Sequence, residues 1–345
     1  MLVKKLMYFI FALMFAMFIG CSDDSDDGGS STVTSDFDVL QPIVDASVNV
    51  AVTPIMTAQV LYDNINDGDD SNNYVVVSVR SAAHYEAGHI PGAININWRD
   101  IAKTEKLAAL DARIAAIPNN GKIAVYCYTG HTGGVATTIL RALGYDAYNL
   151  KFGIMDWTKD EAARGGVAPF SEATSFDYEI ETTINASSTY ELANPEFSSS
   201  TNADEIMLAA ADLYASLGSA TYNADVLHGV INDGDTSNDP QIISVRSADH
   251  YAIGHIPGAI NIPWKEIASE DNLKKIDPTR LLVVYCYTGH TGGIATTALN
   301  LLGYNAVNLK HGIMSWTKST AARGGVAPFS EATGHDYPVT TGVNP

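Results

Sequence analysis

One segment of eight residues occurs twice in this chain of 345 residues without a single change. It reads Cys-Tyr-Thr-Gly-His-Thr-Gly-Gly at 127–134 and again at 286–293. Each copy follows a short apolar run and precedes a pattern rich in Ala, Thr and Leu. We therefore predict a cysteine on a Gly-rich loop between a strand and a helix N-terminus, where free N–H groups and the helix dipole favour the thiolate.

The repeated segment belongs to a longer duplication. Arg80 aligns with Arg246 and Cys127 with Cys286, and residues 162–170 return unchanged at 321–329. Each copy exceeds one hundred residues, so it is a domain and not a solenoid repeat. We predict one domain over 37–178, a linker over 179–202 and a second domain over 203–345.

Strand and helix patterns alternate within each copy. Apolar runs at 74–79, 93–96, 122–126 and 146–150 indicate strands, and 82–87, 103–117 and 134–143 are helical patterns. The second copy repeats the strand at 241–245, and a helix at 203–217 introduces it. This alternation predicts an α/β fold, with a mainly parallel sheet flanked by helices in each domain. Ligands of such sheets bind at the carboxyl ends of the strands, where the cysteines lie.

The chain begins like an exported protein. Lys4 and Lys5 precede an apolar stretch at 6–19, and the end of that stretch resembles the lipobox of bacterial lipoproteins, with Phe18 where Leu is usual. We predict a lipoprotein signal peptide over 1–20, lipidation of Cys21 and a flexible tether over 21–36. An ordinary signal peptide is the alternative. The expected location is the bacterial cell envelope, periplasmic or surface-facing, with the lipid as the only membrane contact.

Cysteine count and charge narrow the functional classes. The chain has three cysteines, so lipidation of Cys21 would leave Cys127 and Cys286 as its thiols. A disulfide between these two would require their loops to face each other, which we do not expect. Unpaired cysteines in an oxidising envelope indicate reactive thiols. The formal net charge of −19 argues against nucleic acid as a partner.

Three repeated motifs resemble the rhodanese sulfurtransferase family. The first is the Val-Arg-Ser segment at 79–81 and 245–247 with the Gly-His-Ile-Pro-Gly-Ala-Ile-Asn segment at 88–95 and 254–261. The second is the cysteine loop. The third is Asn-Leu, Gly and Trp at 149, 150, 153 and 157, repeated at 308, 309, 312 and 316. The resemblance therefore covers both predicted domains.

The resemblance implies a sulfurtransferase that needs no cofactor. Cys127 and Cys286 would be the nucleophiles and carry the transferred sulfur as a persulfide. The donor would be thiosulfate, a polysulfide or a persulfide, and the acceptor a thiophilic molecule. A non-enzymatic sulfur carrier or interaction module is the alternative. The residues expected to bind substrate are Tyr128, Thr129, Gly130, His131, Thr132, Gly133, Tyr287, Thr288, Gly289, His290, Thr291 and Gly292.

The chain departs from the family pattern in two places. Many members carry a basic residue near the end of the cysteine loop, where Thr132 and Thr291 stand here. The loop histidines, His131 and His290, are then its only potential cations, which argues against thiosulfate as the physiological donor. Many members also have Asp two residues before the arginine of the first motif, where this chain has serine at 78 and 244.

Two other chemistries are disfavoured by the loop itself. A cysteine-dependent phosphatase needs an arginine at the positions of Gly133 and Gly292 to bind the phosphate dianion. One cysteine and one histidine per loop are too few for a metal site.

We expect His89 and Arg80, with their counterparts at 255 and 246, to organise structure, and the Asp-rich runs at 66–69 and 232–235 to be acidic turns.

Overall fold

Two five-stranded parallel sheets, one in each copy of the repeat, form the centre of the fold. The computed structural model describes residues 34–117, 121–217 and 221–343. The predicted signal peptide, the lipidation site Cys21 and all but the last residues of the predicted tether lie outside the described residues. No described helix is long and apolar enough to cross a membrane.

The first copy of the repeat has its strands in the order β1-β5-β4-β2-β3. Its strands are β1 (Ile55–Met56), β2 (Val75–Ser78), β3 (Ile94–Asn95), β4 (Lys122–Tyr126) and β5 (Asp146–Leu150). Its helices are α1 (Asp36–Val48), α2 (Ala58–Ile65), α3 (Ala82–Ala87), α4 (Thr104–Ala115), α5 (His131–Ala142), α6 (Ile154–Trp157) and α7 (Glu161–Arg164).

The second copy repeats this order as β6-β10-β9-β7-β8. Its strands are β6 (Thr221–Tyr222), β7 (Gln241–Ser244), β8 (Ile260–Asn261), β9 (Leu282–Tyr285) and β10 (Ala306–Leu309). Its helices are α8 (Ala203–Leu217), α9 (Ala224–Ile231), α10 (Ala248–Ile253), α11 (Glu270–Leu273), α12 (His290–Leu301) and α13 (Ile313–Trp316). The central strand of each sheet is buried, apart from Lys122 at the start of β4, because helices cover both faces.

Most predicted elements occur within one or two residues of their predicted bounds. The strands predicted at 122–126 and 146–150 and the helix at 203–217 are exact. The helix after the cysteine loop begins at His131 instead of 134, because its first turn includes the glycine pair that resembles a loop in sequence. Helix α1 was not predicted. Ser35 and Asp38 form its capping box where the predicted tether at 21–36 meets the first domain.

The two copies are interlocked and are not two separate bodies. Helix α1, which precedes the first copy, donates a hydrogen bond from Gln41 to the Ala268 carbonyl of the second. Helix α8, which precedes the second copy, accepts one at its Ala215 carbonyl from Arg99 of the first. Helices α5 and α12 pack against each other, and one continuous apolar core includes residues of both copies.

The segments that follow the two copies are also exchanged. After the second copy the chain returns to the first, where the Trp157 indole donates to the Pro338 carbonyl (2.8 Å). After the first copy the chain runs onto the second, where Trp316 donates to the Glu179 carbonyl (2.7 Å). The start of the predicted linker at 179–202 therefore packs on the second copy, and each copy is completed by residues that follow the other.

Candidate active site

Each cysteine lies at the carboxyl end of the central strand of its sheet. Cys127 follows β4, and its Sγ accepts a hydrogen bond from the Gly130 N–H at 3.0 Å. Gly130 caps helix α5 with φ +90°, a left-handed conformation that suits glycine. Cys286 repeats the arrangement, with the Gly289 N–H at 3.1 Å. Each Sγ therefore lies beside an N–H donor and a helix N-terminus, on the loop between strand and helix that the sequence predicted.

An asparagine from the neighbouring strand holds each cysteine loop in place through a hydrogen bond. The Asn149 side-chain amide donates to the Gly130 carbonyl at 2.8 Å, and Asn308 does the same for Gly289. A Cβ atom at Gly133 would collide with the Asn149 Oδ1. Gly133 therefore allows α5 to approach the asparagine closely. The repeated Asn-Leu pair was the signal for it.

Tyr128 and Arg80 hold the other side of the loop. The Tyr128 hydroxyl lies 2.5 Å from His84 Nδ1, and the Arg80 guanidinium lies 5.8 Å from the centre of the Tyr128 ring. Arg80 is buried and donates to the carbonyls of Gly88 and Ala163, among others. Arg246 and Tyr287 repeat these contacts, so both arginines organise structure.

The loop histidines join the two copies. His131 Nδ1 lies 2.8 Å from the Thr129 hydroxyl, and its Nε2 accepts the backbone N–H of His311 in the second copy at 3.0 Å. His290 repeats this with Thr288 and accepts the Phe152 N–H of the first copy at 3.0 Å. The two cysteine loops therefore do face each other, and our expectation from the sequence that they would not was wrong. Both thiols are nevertheless free, as expected.

The donor residues of these two bonds have strained backbones. Phe152 has φ +60° and His311 has φ +63°, values that non-glycine residues adopt rarely. Each follows the last strand of its copy and precedes a glycine. The strain is held in place because the donated N–H points directly at the other copy's histidine.

These histidines are neutral at physiological pH. Burial lowers the pKa of His131 well below its usual value, and the neighbouring His311, His290 and Lys310 lower it further, since a proton on His131 would be repelled by theirs. Burial, with help from the Lys151 charge, lowers the pKa of His290 to about 3. Since each Nε2 accepts a backbone N–H, the proton of each neutral ring lies on Nδ1 and is donated to the threonine hydroxyl. Neither ring supplies the loop with a cation.

The predicted substrate-binding residues fall into two groups, one partly exposed to solvent and one buried. Tyr128, Thr129, Thr132 and their counterparts at 287, 288 and 291 are partly exposed at the rim of each loop. The buried members are Gly130, His131, Gly133, Gly289, His290 and Gly292. Cys127 and Cys286 are each 1% exposed. Within the described residues, no cluster of His, Cys, Asp and Glu has the arrangement of a metal site.

The model of the rhodanese-like domain family matches this chain twice, at residues 57–160 and 224–319. The two matches include both cysteine loops and together span more than half of the chain. The chain belongs to the rhodanese family. The order of the five parallel strands and the position of the cysteines thus belong to two rhodanese domains in tandem.

Curated relatives match single domains of this rhodanese. Adenylyltransferase and sulfurtransferase UBA4 of Meyerozyma guilliermondii is 32% identical over 87 residues, which cover 23% of this chain and 20% of that protein. Thiosulfate sulfurtransferase PspE of Escherichia coli K12 is 35% identical over 71 residues, covering 21% of this chain and 68% of PspE. The chain thus spans about a fifth of the length of UBA4 and two thirds of PspE.

A solved structure matches across both domains. Thiosulfate sulfurtransferase from Pseudomonas aeruginosa is 16% identical, and the match covers 91% of this chain and 50% of that chain with a TM-score of 0.29.

Proposed function

We propose that this tandem rhodanese is a sulfurtransferase that carries sulfane sulfur as a persulfide on Cys127 and Cys286. The observation that carries the proposal is the hydrogen bond from a loop N–H to each Sγ, at 3.0 and 3.1 Å, beside the N-terminus of a twelve-residue helix. This geometry stabilises the negative charge that a thiolate and a persulfide share. The similarity to a thiosulfate sulfurtransferase supports the same reaction.

The reaction follows a two-step covalent route. The thiolate of Cys127 or Cys286 attacks the outer sulfur of the donor, forms an S–S bond and releases the remainder of the donor with the electron pair of the broken bond. A thiophilic acceptor then attacks the outer sulfur of the persulfide and takes it, and the cysteine thiolate leaves. Both steps are redox-neutral overall. In each, the sulfur atom moves without the electron pair of the broken bond, which stays with the leaving group.

Mass spectrometry of the donor-treated protein tests the proposal. We expect an adduct of one sulfur atom, about 32 Da, on each cysteine loop, and sensitivity of both adducts to cyanide or to a thiol. Cys127→Ser and Cys286→Ser should each lose one adduct and about half of the turnover, and the double variant both. Full turnover in the double variant would remove the cysteines from the reaction.

Burial of the thiols favours one alternative, a sulfur carrier that loads but does not turn over. Each cysteine is 1% exposed, so access for an acceptor requires movement of the rim. Such a carrier would show the same adducts and no multiple turnover with cyanide, glutathione or dithiothreitol as acceptor. Steady-state rates with these three acceptors separate the alternatives.

A further inference from the structure

Two lysines adjoin the residues that join the cysteine loops and have no part in the reaction described above. Lys151 follows β5 and Lys310 follows β10. Each immediately precedes the strained residue, Phe152 or His311, that donates its N–H to the other copy's loop histidine. The backbone of each lysine is therefore held near the boundary between the copies by the bond that the next residue donates.

Other positive charges at the two sites are already engaged or absent. The cysteine loops contain no lysine or arginine. Arg80 and Arg246 are 1% exposed and donate to carbonyl oxygens. The loop histidines are neutral. An anionic donor must still approach a protein of net charge −19, so a local cation is needed to hold it.

Each lysine lies next to a ring that contacts the cysteine loop of the opposite copy. The Lys151 Nζ lies 5.0 Å from the centre of the Phe152 ring, which packs edge-on against His290 with 5.0 Å between ring centres. On the other side, the His311 ring packs edge-on against His131 at 5.1 Å, and Lys310 is the residue before it. The lysine charges agree with this placement, since Lys151 lowers the pKa of His290 and Lys310 that of His131.

We propose that each active loop takes its anion-binding cation from the other copy, so that Lys310 binds the anionic group of a sulfur donor at Cys127 and Lys151 binds it at Cys286. The ligand class is a small donor whose sulfane sulfur is attached to an anionic group, as in thiosulfate. The loop threonines at 132 and 291, which stand where many relatives carry a basic residue, are then compensated from across the boundary. The inference rests on the sulfurtransferase function proposed above.

The two cations differ in their surroundings. Lys151 is partly buried and lies over an aromatic ring, whereas Lys310 is exposed and follows β10 beside a histidine. The ring holds Lys151 in one position, which lowers the entropy lost when an anion binds. We therefore expect the Cys286 site to bind thiosulfate more tightly than the Cys127 site.

Kinetics on single-cysteine proteins test the crossed assignment. In the Cys286→Ser protein, Lys310→Gln should raise the KM for thiosulfate about fivefold and leave kcat nearly unchanged, because one charge–charge attraction is lost. In the Cys127→Ser protein, Lys151→Gln should have that effect. Lys310→Arg and Lys151→Arg should restore the KM. The KM for a neutral donor such as diallyl trisulfide should stay unchanged. A general structural defect would instead impair the reaction with both donors.

The exposed lysines at 159 and 318 supply matched controls, since Lys159→Gln and Lys318→Gln remove the same charge away from the loops. Their KM for thiosulfate should stay within about twofold of the parent. The proposal is overturned if the pairing is reversed, with Lys310 acting at Cys286, or if neither lysine changes the KM while persulfide still forms. Absence of persulfide on the unmodified protein would instead defeat the proposed function itself.

Discussion

The two copies are nearly identical at their cysteine loops and differ where each meets the other. The bond from the asparagine amide to the loop is 2.8 Å in both, and the tyrosine–histidine contact is 2.5 Å in one and 2.6 Å in the other. The strand-end loops, in contrast, carry Phe152 in the first copy and His311 in the second. The geometry of the cysteine loop is thus duplicated, whereas the residues that contact it from the other copy differ.

The exchanged segments show the same contrast. Glu331 binds Arg164 of the first copy through both carboxylate oxygens, at 2.6 and 3.1 Å. At the equivalent place Glu172 binds Arg323 through one oxygen, and Ser175 takes the other guanidinium nitrogen. Each copy therefore depends on a residue that follows the other copy, but the first depends on its carboxylate more.

The largest expected effect comes from closing the space between the loops. Gly130→Ala should strongly destabilise the protein, because its Cβ would collide with the His290 ring. Gly68→Ala is the matched control, with φ +85° but nothing within 4 Å. Both should lose about 1–2 kcal/mol to backbone strain, and Gly130→Ala on the order of 1–3 kcal/mol more through overpacking. Urea unfolding measures both, and equal losses would show that the loops do not pack together.

A smaller effect concerns acid stability. Burial, with the Lys310 charge, lowers the pKa of His311 to about 4. Below about pH 6.5 His311 binds a proton in the unfolded chain, whereas in the folded protein it stays neutral until the pH approaches 4. Its contribution to stability is therefore complete above about pH 6.5 and is lost as the pH falls toward 4. His311→Phe, which copies Phe152, should reduce the slope of unfolding free energy by up to about 1.4 kcal/mol per pH unit in this window.

The reverse exchange sharpens the comparison of the strand-end loops. Phe152→His should steepen the same dependence, because both strand-end positions then carry an imidazole against the loops. The free energy of unfolding, measured between pH 7 and 4.5, should fall least for His311→Phe and most for Phe152→His. Curves that run parallel for all three proteins would show that position 311 does not control acid stability.

The smallest expected effect is the difference in stability loss between substitutions of Glu331 and Glu172, the glutamates of the exchanged segments. Glu331→Gln should cost about 1 kcal/mol, since it removes a bidentate partner from a buried arginine, and Glu172→Gln roughly half as much. Both glutamates are about half exposed, with 49% and 51% of the side chain accessible, which keeps both values small. Thermal unfolding of the two variants in parallel measures the difference, and equal losses would contradict it.

Much of the site was available from the sequence because its determinants are local. The strand that ends at Tyr126, the cysteine after it and the glycine at the helix start follow from short-range patterns of hydrophobicity and turn residues. The duplication made the fold class more certain, since each pattern occurs twice. The role of Asn149 was visible only as part of a repeated motif, because its partner Gly130 lies on another element.

The sequence by itself determined that this protein has two parallel-sheet rhodanese domains with a placed thiol in each. Only the tertiary structure decided that the two cysteine loops meet and that their histidines are neutral. The deciding bonds join residues 138 and 180 positions apart. Local periodicity carries no information about such pairs, because their meeting depends on how helices α5 and α12 pack the two copies together.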